Sequence, residues 1–180
     1  MSEHFVGKYE VEYKYRVESH QSVLATLQAL GACVFVEQNR ERDIYFELGD
    51  KELAQQGVSM SVRVMKPSGI KLWIVKGPGN DRCEAVNVES VSKTCSMLET
   101  LGYHPAFTIE KSRSIYFLEQ FHVTLDVVSE LGCFVEIAVM TDEAELLEPL
   151  KEQCLQLSEK LGLGSDALEV NSYRALLGHI

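Results

Sequence analysis

The sequence predicts an α+β fold, in which a closed or nearly closed antiparallel β-barrel of about eight strands carries helices on its outside. Stretches in which apolar and polar residues alternate with a period of two recur along the chain, and this alternation is typical of half-buried strands. Most of these stretches are joined by short turns of the length that hairpins favour, which indicates antiparallel pairing. Two of the joins are instead helical, and helices need a sheet to pack against.

Local signals place the first elements in chain order. The first strand is predicted at residues 8–17, because aromatic and β-branched residues alternate there with charged ones. A helix is predicted at residues 19–30, with Ser19 as its N-cap and Gly31 at its end. A long strand follows at residues 33–46, and we expect it to pair with the first strand across this helix.

Turns rich in glycine, proline, asparagine and serine separate most of the remaining elements. Further strands are predicted at residues 58–66, 70–76, 82–88, 104–118, 121–129 and 133–140. Further helical segments are predicted at residues 50–57, 90–101, 143–161 and 172–177. The chain shows no repeat and no interdomain linker, so residues 1–180 are expected to form one domain that is long enough to bury a core.

Composition limits the classes of function. The formal net charge of −10 argues against a nucleic-acid surface, which would need a basic stripe. No basic segment followed by an apolar one opens the chain, and no apolar run approaches 18 residues, so we expect neither secretion nor insertion into a membrane. The five cysteines lack close pairs, which predicts free thiols in the reducing cytoplasm.

Charged side chains interrupt the apolar strands in a repeated pattern. Glu10, Glu12 and Lys14 share one face of the first strand, because alternate residues of a strand point the same way. A charge inside an apolar strand is costly unless it is paired, hydrogen-bonded or wet. The charges therefore form either the outer face of an ordinary sheet or a shared interior of a barrel. Later strands carry further charges at Arg63, Lys76, Glu84, Lys111, Arg113, Asp126 and Glu136.

A shared charged interior suits a complex of a divalent cation with a polyphosphate. The cation offsets the charge of the carboxylates, and the polyphosphate offsets the charge of the basic side chains. Phosphate oxygens are bound well by ammonium and guanidinium groups, and the candidates are Lys14, Arg63, Lys76, Lys111 and Arg113. Mg²⁺ and Mn²⁺ prefer oxygen ligands, and the candidate carboxylates are Glu10, Glu12, Asp126 and Glu136. The histidines show no ligand spacing, and His122 is expected to be structural or exposed.

The segment Glu10-Val-Glu-Tyr-Lys14 resembles the Glu-x-Glu-x-Lys signature of the CYTH superfamily, whose fold is a barrel often called a triphosphate tunnel. Further blocks, which begin at His4, Trp73, Thr108 and Ser172, resemble the bacterial class IV adenylyl cyclases within that group, so the similarity covers nearly the whole chain. The resemblance implies conversion of ATP to cyclic AMP and pyrophosphate with Mg²⁺ or Mn²⁺. The ribose 3′-hydroxyl would attack the α-phosphate.

The resemblance also implies a role for each matching residue. Metal binding falls to Glu10, Glu12, Asp126 and Glu136, triphosphate binding to Lys14, Arg63, Lys76, Lys111 and Arg113, and catalysis to Glu12, Lys14, Lys111 and Arg113. Glu84 matches a further acidic position of the family. Phe5 and His4 are either contacts for the nucleobase or packing residues of the terminus. The relatives also suggest a homodimer.

The chain departs from many relatives, triphosphatases above all, at Ala138, where they carry an acid two residues after the position of Glu136. This departure favours cyclisation over hydrolysis. Two alternatives to the cyclase stay open. The same charged interior would suit a thiamine or inorganic triphosphatase, in which water is the nucleophile. It would also suit a non-catalytic module that only binds nucleotides or polyphosphate.

Overall fold

The strands of the computed structural model, which describes residues 3–179, form one antiparallel sheet of eight strands within those residues. The sheet follows the order β1-β8-β7-β6-β2-β3-β4-β5 and curls into a nearly closed barrel, which confirms the predicted α+β class. The strands are β1 (Tyr9–Val17), β2 (Cys33–Leu48), β3 (Ser59–Lys66), β4 (Lys71–Lys76), β5 (Cys83–Asn87), β6 (Tyr103–Leu118), β7 (Phe121–Val128) and β8 (Gly132–Thr141).

The helices lie close to their predicted positions, as α1 (Gln21–Ala29), α2 (Glu52–Gln55), α3 (Val91–Thr100), α4 (Leu147–Lys160) and α5 (Tyr173–Leu176). The predicted capping role of Ser19 is confirmed: α1 begins after His20, which makes no side-chain capping bond, and Ser19 Oγ accepts a hydrogen bond from the Gln21 backbone N–H at 3.2 Å. None of the helices within residues 3–179 is long and apolar enough to cross a membrane.

The predicted pairing of the first two strands is wrong. β1 pairs with β8, whereas β2 pairs with β3 on one side and β6 on the other. β2 and β6 are each 16 residues long and pair over most of that length, so β2 lies in the middle of the sheet. The alternation within a strand reveals its two faces but not its neighbours, which depend on contacts distant in sequence.

The two edge strands of the sheet meet at one end. The Glu10 backbone N–H donates to the carbonyl of Asp81, just before β5, at 2.8 Å. Further along β1, the Glu169 N–H donates to the Lys14 carbonyl, also at 2.8 Å. The segment before β5 and the C-terminal segment therefore cover successive parts of the free edge of β1, which would otherwise expose unpaired backbone groups.

The main apolar core lies outside the barrel wall, between the sheet and the helices. Val11 and Tyr15 of β1 pack there against Leu27 of α1 and Cys154 of α4, and all four side chains are buried. Burial of each such side chain stabilises the fold by about 1.5–3 kcal/mol. Because the apolar face of β1 points outward to the helices, its charged face points into the barrel.

Candidate active site

The barrel encloses a cavity of about 880 Å³. Most of the charged residues predicted for the site line this one cavity, so the charged interior, and not a polar outer face, is the arrangement that the structure has. The charged residues among its lining are Glu10, Glu12, Lys14, Arg63, Lys76, Lys111, Arg113, Glu136 and Arg174.

Two carboxylates of β1 share one ammonium group on the cavity wall. Lys76 Nζ lies 2.7 Å from Glu10 Oε2 and 3.1 Å from Glu12 Oε2. Burial alone would raise the pKa of Glu10, but Lys76 and His122 beside it hold that pKa well below its ordinary value. Glu10 is therefore available as an anion at neutral pH.

A second ionic cluster lies on the same face of the sheet as the cations that line the cavity, where β2, β3 and β6 are neighbours. Asp43 accepts hydrogen bonds from Arg63 Nε at 2.6 Å and from Lys111 Nζ at 3.0 Å. Glu41 Oε1 lies 2.5 Å from Lys111 Nζ and 3.1 Å from Arg63 Nη2. Burial would raise the pKa of Asp43, yet Arg63 and Lys111 hold it well below its ordinary value. These two acids fix the positions of two cations that face the cavity.

The sequence analysis missed both Glu41 and Asp43, although a signal was present. They are spaced by two residues on β2, as Glu10 and Glu12 are on β1. The surrounding residues 37–43 are polar throughout, so no apolar background marks the two acids as unusual.

Arg113 is held by two acids on neighbouring strands. Its Nε donates to Asp126 Oδ1 at 2.6 Å, and its Nη2 donates to Asp126 Oδ2 and to Glu136 Oε2, the latter at 2.5 Å. Tyr173 donates its hydroxyl proton to Asp126 at 2.8 Å. Asp126 is fully buried and is not part of the cavity lining, so its oxygens orient Arg113 in this structure. Its role as a metal ligand stays a prediction.

The C-terminal segment closes one end of the cavity. Lys14 Nζ donates to the Asn171 carbonyl at 2.9 Å and lies 4.5 Å from the centre of the Tyr173 ring, a cation–π distance. Burial, together with the nearby carboxylates of Glu136 and Asp126, raises the pKa of Tyr173, so its hydroxyl stays protonated as a donor. The predicted short element at residues 172–177 thereby becomes part of the site.

Three further residues complete the comparison with the predicted site. Phe5 lines the cavity, at the end away from Tyr173. Glu84 lies on the outer face of the sheet, exposed and paired with Arg82 at 2.7 Å, so the structure does not bring it to the cavity. His122 was expected to be structural or exposed, but it is buried and lines the cavity beside Glu10. Its position four residues before Asp126 on β7 was a usable signal.

The carboxylates fit a divalent cation that the substrate helps to bind. Within residues 3–179, no group of three or more His, Cys, Asp or Glu side chains is placed to hold a metal by itself. Mg²⁺, however, is usually bound in nucleotide sites by one or two carboxylates together with substrate phosphates and water. Glu10 and Glu12 supply such a pair. The small side chain of Ala138, the register partner of Glu12, leaves room beside it.

The family model of the CYTH domain matches residues 8–173, and the chain therefore belongs to the CYTH family. The adenylate cyclase CyaB of Aeromonas hydrophila is 49% identical over 175 residues, which are 97% of this chain and 92% of that protein. A candidate adenylate cyclase of Methanocaldococcus jannaschii is 25% identical over 175 residues, 94% of this chain and 98% of its own.

A solved structure agrees with the sequence comparisons. The X-ray structure of a candidate adenylate cyclase from Vibrio parahaemolyticus superimposes with a TM-score of 0.92 at 40% identity, and the match covers 96% of this chain and 99% of that one. The resemblance inferred from the Glu-x-Glu-x-Lys segment is thus confirmed.

Proposed function

We propose that this chain is an adenylate cyclase, which converts ATP to cyclic AMP and pyrophosphate with Mg²⁺ or Mn²⁺. The observation that carries the proposal is the convergence of the five cationic side chains predicted to bind triphosphate and of the Glu10–Glu12 pair on one cavity. The identity of 49% to the adenylate cyclase of Aeromonas hydrophila, over nearly the whole chain, supports it independently.

The basic residues are suited to bind the triphosphate. Arg113 uses Nε and Nη2 for its two carboxylates, while its Nη1 lies 3.9 Å from Glu41 Oε1, beyond hydrogen-bond distance. Nη1 can therefore donate to a phosphate oxygen without disturbing the bonds that orient the guanidinium. Because Glu41 and Asp43 already hold Arg63 and Lys111, substrate binding does not have to order these long side chains.

The reaction forms a bond between the ribose O3′ and the α-phosphorus. It breaks the bond from the α-phosphorus to the bridging oxygen, and pyrophosphate leaves with that electron pair. A divalent cation bound by Glu10 and Glu12 would lower the pKa of the 3′-hydroxyl and offset the charge of the leaving group. Lys111 and Arg113 would stabilise the charge that develops on the phosphates. The hydroxyl proton passes to a Glu12 oxygen or to water.

The product formed from ATP tests this function. Incubation of the protein with ATP and Mn²⁺, followed by chromatography, should yield cyclic AMP and pyrophosphate in equal amounts. Orthophosphate without a cyclic nucleotide would instead indicate a triphosphatase, and thiamine triphosphate and inorganic triphosphate should then be tried as substrates. Binding of ATP without turnover under any divalent cation would indicate a non-catalytic module.

The assembly and location follow from the family resemblance and from composition, as proposals. We propose that the chain forms a homodimer in the cytoplasm and does not bind nucleic acid. Light scattering after size-exclusion chromatography should give a mass of about twice the 20.2 kDa of the chain. A mass of one chain at micromolar concentration would contradict the dimer.

A further inference from the structure

Lys14 differs from the other cations of the cavity in what holds it. The other four cations predicted to bind triphosphate each form an ion pair with a carboxylate of another strand, and these are Arg63, Lys76, Lys111 and Arg113. Within residues 3–179, the Lys14 ammonium instead contacts the C-terminal segment and no carboxylate. It donates to the Asn171 carbonyl at 2.9 Å and lies 4.5 Å from the centre of the Tyr173 ring. No acid therefore pairs with this charge.

Tyr173 also contacts the groups that hold two further cations. Its hydroxyl donates to Asp126 at 2.8 Å, and Asp126 in turn accepts from Arg113 Nε at 2.6 Å. Asp126 is 0% exposed, so water does not replace a donor that is lost there. The Lys111 ammonium lies 5.7 Å from the centre of the ring, within the range of a cation–π contact. One side chain thus connects Lys14 with the cations of β6.

The backbone on both sides of Tyr173 is fixed to the barrel. Before it, the Glu169 N–H donates to the Lys14 carbonyl at 2.8 Å. After it, Arg174 Nη2 donates to Glu47 Oε1 at 3.2 Å, and Glu47 is buried. Tyr173 itself is 8% exposed. Its ring and its hydroxyl therefore have defined positions before any substrate binds.

An aromatic ring and a carboxylate hold a lysine with different consequences. Lysine has a flexible stem, and a long side chain that is ordered only on binding weakens the affinity for the ligand. A carboxylate would order Lys14 but would also offset its charge. A ring attracts the ammonium without a net charge of its own, and the ammonium has three donors, of which Asn171 takes one. Lys14 is thereby ordered and retains its charge for the phosphates.

We propose that Tyr173 is a positioning residue of the site. Its ring orders Lys14 for the triphosphate, and its hydroxyl fixes the guanidinium of Arg113 through Asp126. The C-terminal segment then serves the reaction and does more than cover the free edge of β1. The proposal rests on the proposed function, since it takes a triphosphate to be bound in the cavity.

Tyr173→Phe removes the hydroxyl and keeps the ring. The kcat for cyclic AMP formation should fall by roughly tenfold to a hundredfold, because a small misplacement of a reacting or stabilising group can cost that much. The KM for ATP should stay at the wild-type value, since Arg113 still pairs with Glu136. Calorimetric titration with inorganic triphosphate and Mg²⁺ should give the wild-type affinity, because the ring still orders Lys14. A general loss of structure would not separate kcat from binding in this way.

Tyr173→Leu removes the ring as well. Lys14 then has to be ordered on binding, so the affinity for inorganic triphosphate should fall by roughly twofold to tenfold. The matched control is Tyr116→Phe, because the Tyr116 hydroxyl also donates to a carboxylate, Glu37 at 2.9 Å, and its side chain is 3% exposed. Neither Tyr116 nor Glu37 lines the cavity, so this control should keep the wild-type kcat, KM and affinity.

Each part of the proposal has a result that would overturn it. Wild-type kcat of Tyr173→Phe, or an equal loss in Tyr116→Phe, would overturn the role of the hydroxyl. Weaker triphosphate binding by Tyr173→Phe, or wild-type affinity of Tyr173→Leu, would overturn the role of the ring. If urea unfolding shows that Tyr173→Leu does not fold, the titration of Tyr173→Phe still tests the ring. A wild-type protein that makes no cyclic AMP would refute the proposed cyclase, and the triphosphate titrations would remain interpretable.

Discussion

Replacement of Asp43 by asparagine tests whether the buried acids hold the cations of the cavity wall. Asp43 accepts bonds of 2.6 and 2.9 Å from Arg63 and one of 3.0 Å from Lys111, and it is 1% exposed. Asparagine keeps the volume of the side chain but removes its charge. Both cations would then rely on Glu41 alone, whose Oε1 remains near each of them.

The expected loss of stability follows from the burial of this cluster. Removal of one partner of a buried ion pair typically costs about 3–5 kcal/mol, because the remaining charge is left without compensation. Since Glu41 still pairs with both cations, we expect a loss at the lower end, about 3 kcal/mol. With a urea dependence of about 2–3 kcal/mol per molar for a chain of this size, the midpoint of urea unfolding should fall by at least about 1 M.

Glu110→Gln is the matched control. Like Asp43, Glu110 is an acid that pairs with an arginine of a neighbouring strand, Arg42 of β2 at 3.6 Å, but its side chain is 58% exposed. Exposed pairs contribute about 0–1 kcal/mol, so the midpoint of this variant should stay close to that of the wild type. An Asp43→Asn midpoint equal to that of the control would refute the reasoning.

The same variant has a predicted dependence on pH. The pKa of Asp43 in the folded protein is lower than the ordinary value of 3.8, so its stabilisation is fully present above that value. The stabilisation is lost as pH falls through the lower folded value. The difference in unfolding free energy between the wild type and Asp43→Asn should therefore be constant near neutral pH and shrink in acid.

Two further substitutions separate the roles of the core and the cavity. Leu27→Ala removes a fully buried side chain between α1 and the sheet, and it should lower the unfolding free energy by about 2–5 kcal/mol in urea titration, with unchanged cyclase activity in the folded protein. Arg113→Lys replaces the planar fork that bonds Asp126 and Glu136 and should lower the cyclase kcat by about 10²–10³-fold, as loss of a preorganised donor does. Leu27→Ala at the wild-type midpoint, or Arg113→Lys with wild-type kcat, would contradict these assignments.

The sequence was sufficient for the strands and for the charges that stand out within them. Arg63 and Glu136 were predictable because a single charge between apolar neighbours on a strand requires a special environment. The pairing of β1 with β8 was not predictable, since period-two alternation is the same whichever strand is adjacent. The first helix suggested β2 as the partner of β1, but α1 passes over the outside of the wall, where Leu27 packs on the sheet.

The missed parts of the site share a physical reason. Glu41 and Asp43 do not differ locally from the polar residues around them, and only the pairing of β2 with β3 and β6 brings them to Arg63 and Lys111. His122 was missed because ligand spacing was sought along the sequence. Its position beside Glu10 arises across strands, from the register of β7 with β8 and of β8 with β1.

The most direct test of the charged cavity as a cyclase site compares Glu12→Gln with Glu84→Gln in the formation of cyclic AMP from ATP and Mn²⁺. Both variants remove one carboxylate that matches an acidic position of the family, but only Glu12 lines the cavity. We expect Glu12→Gln to lose cyclic AMP formation while it retains the wild-type urea midpoint, and Glu84→Gln to keep the wild-type rate. Wild-type turnover by Glu12→Gln would contradict the account.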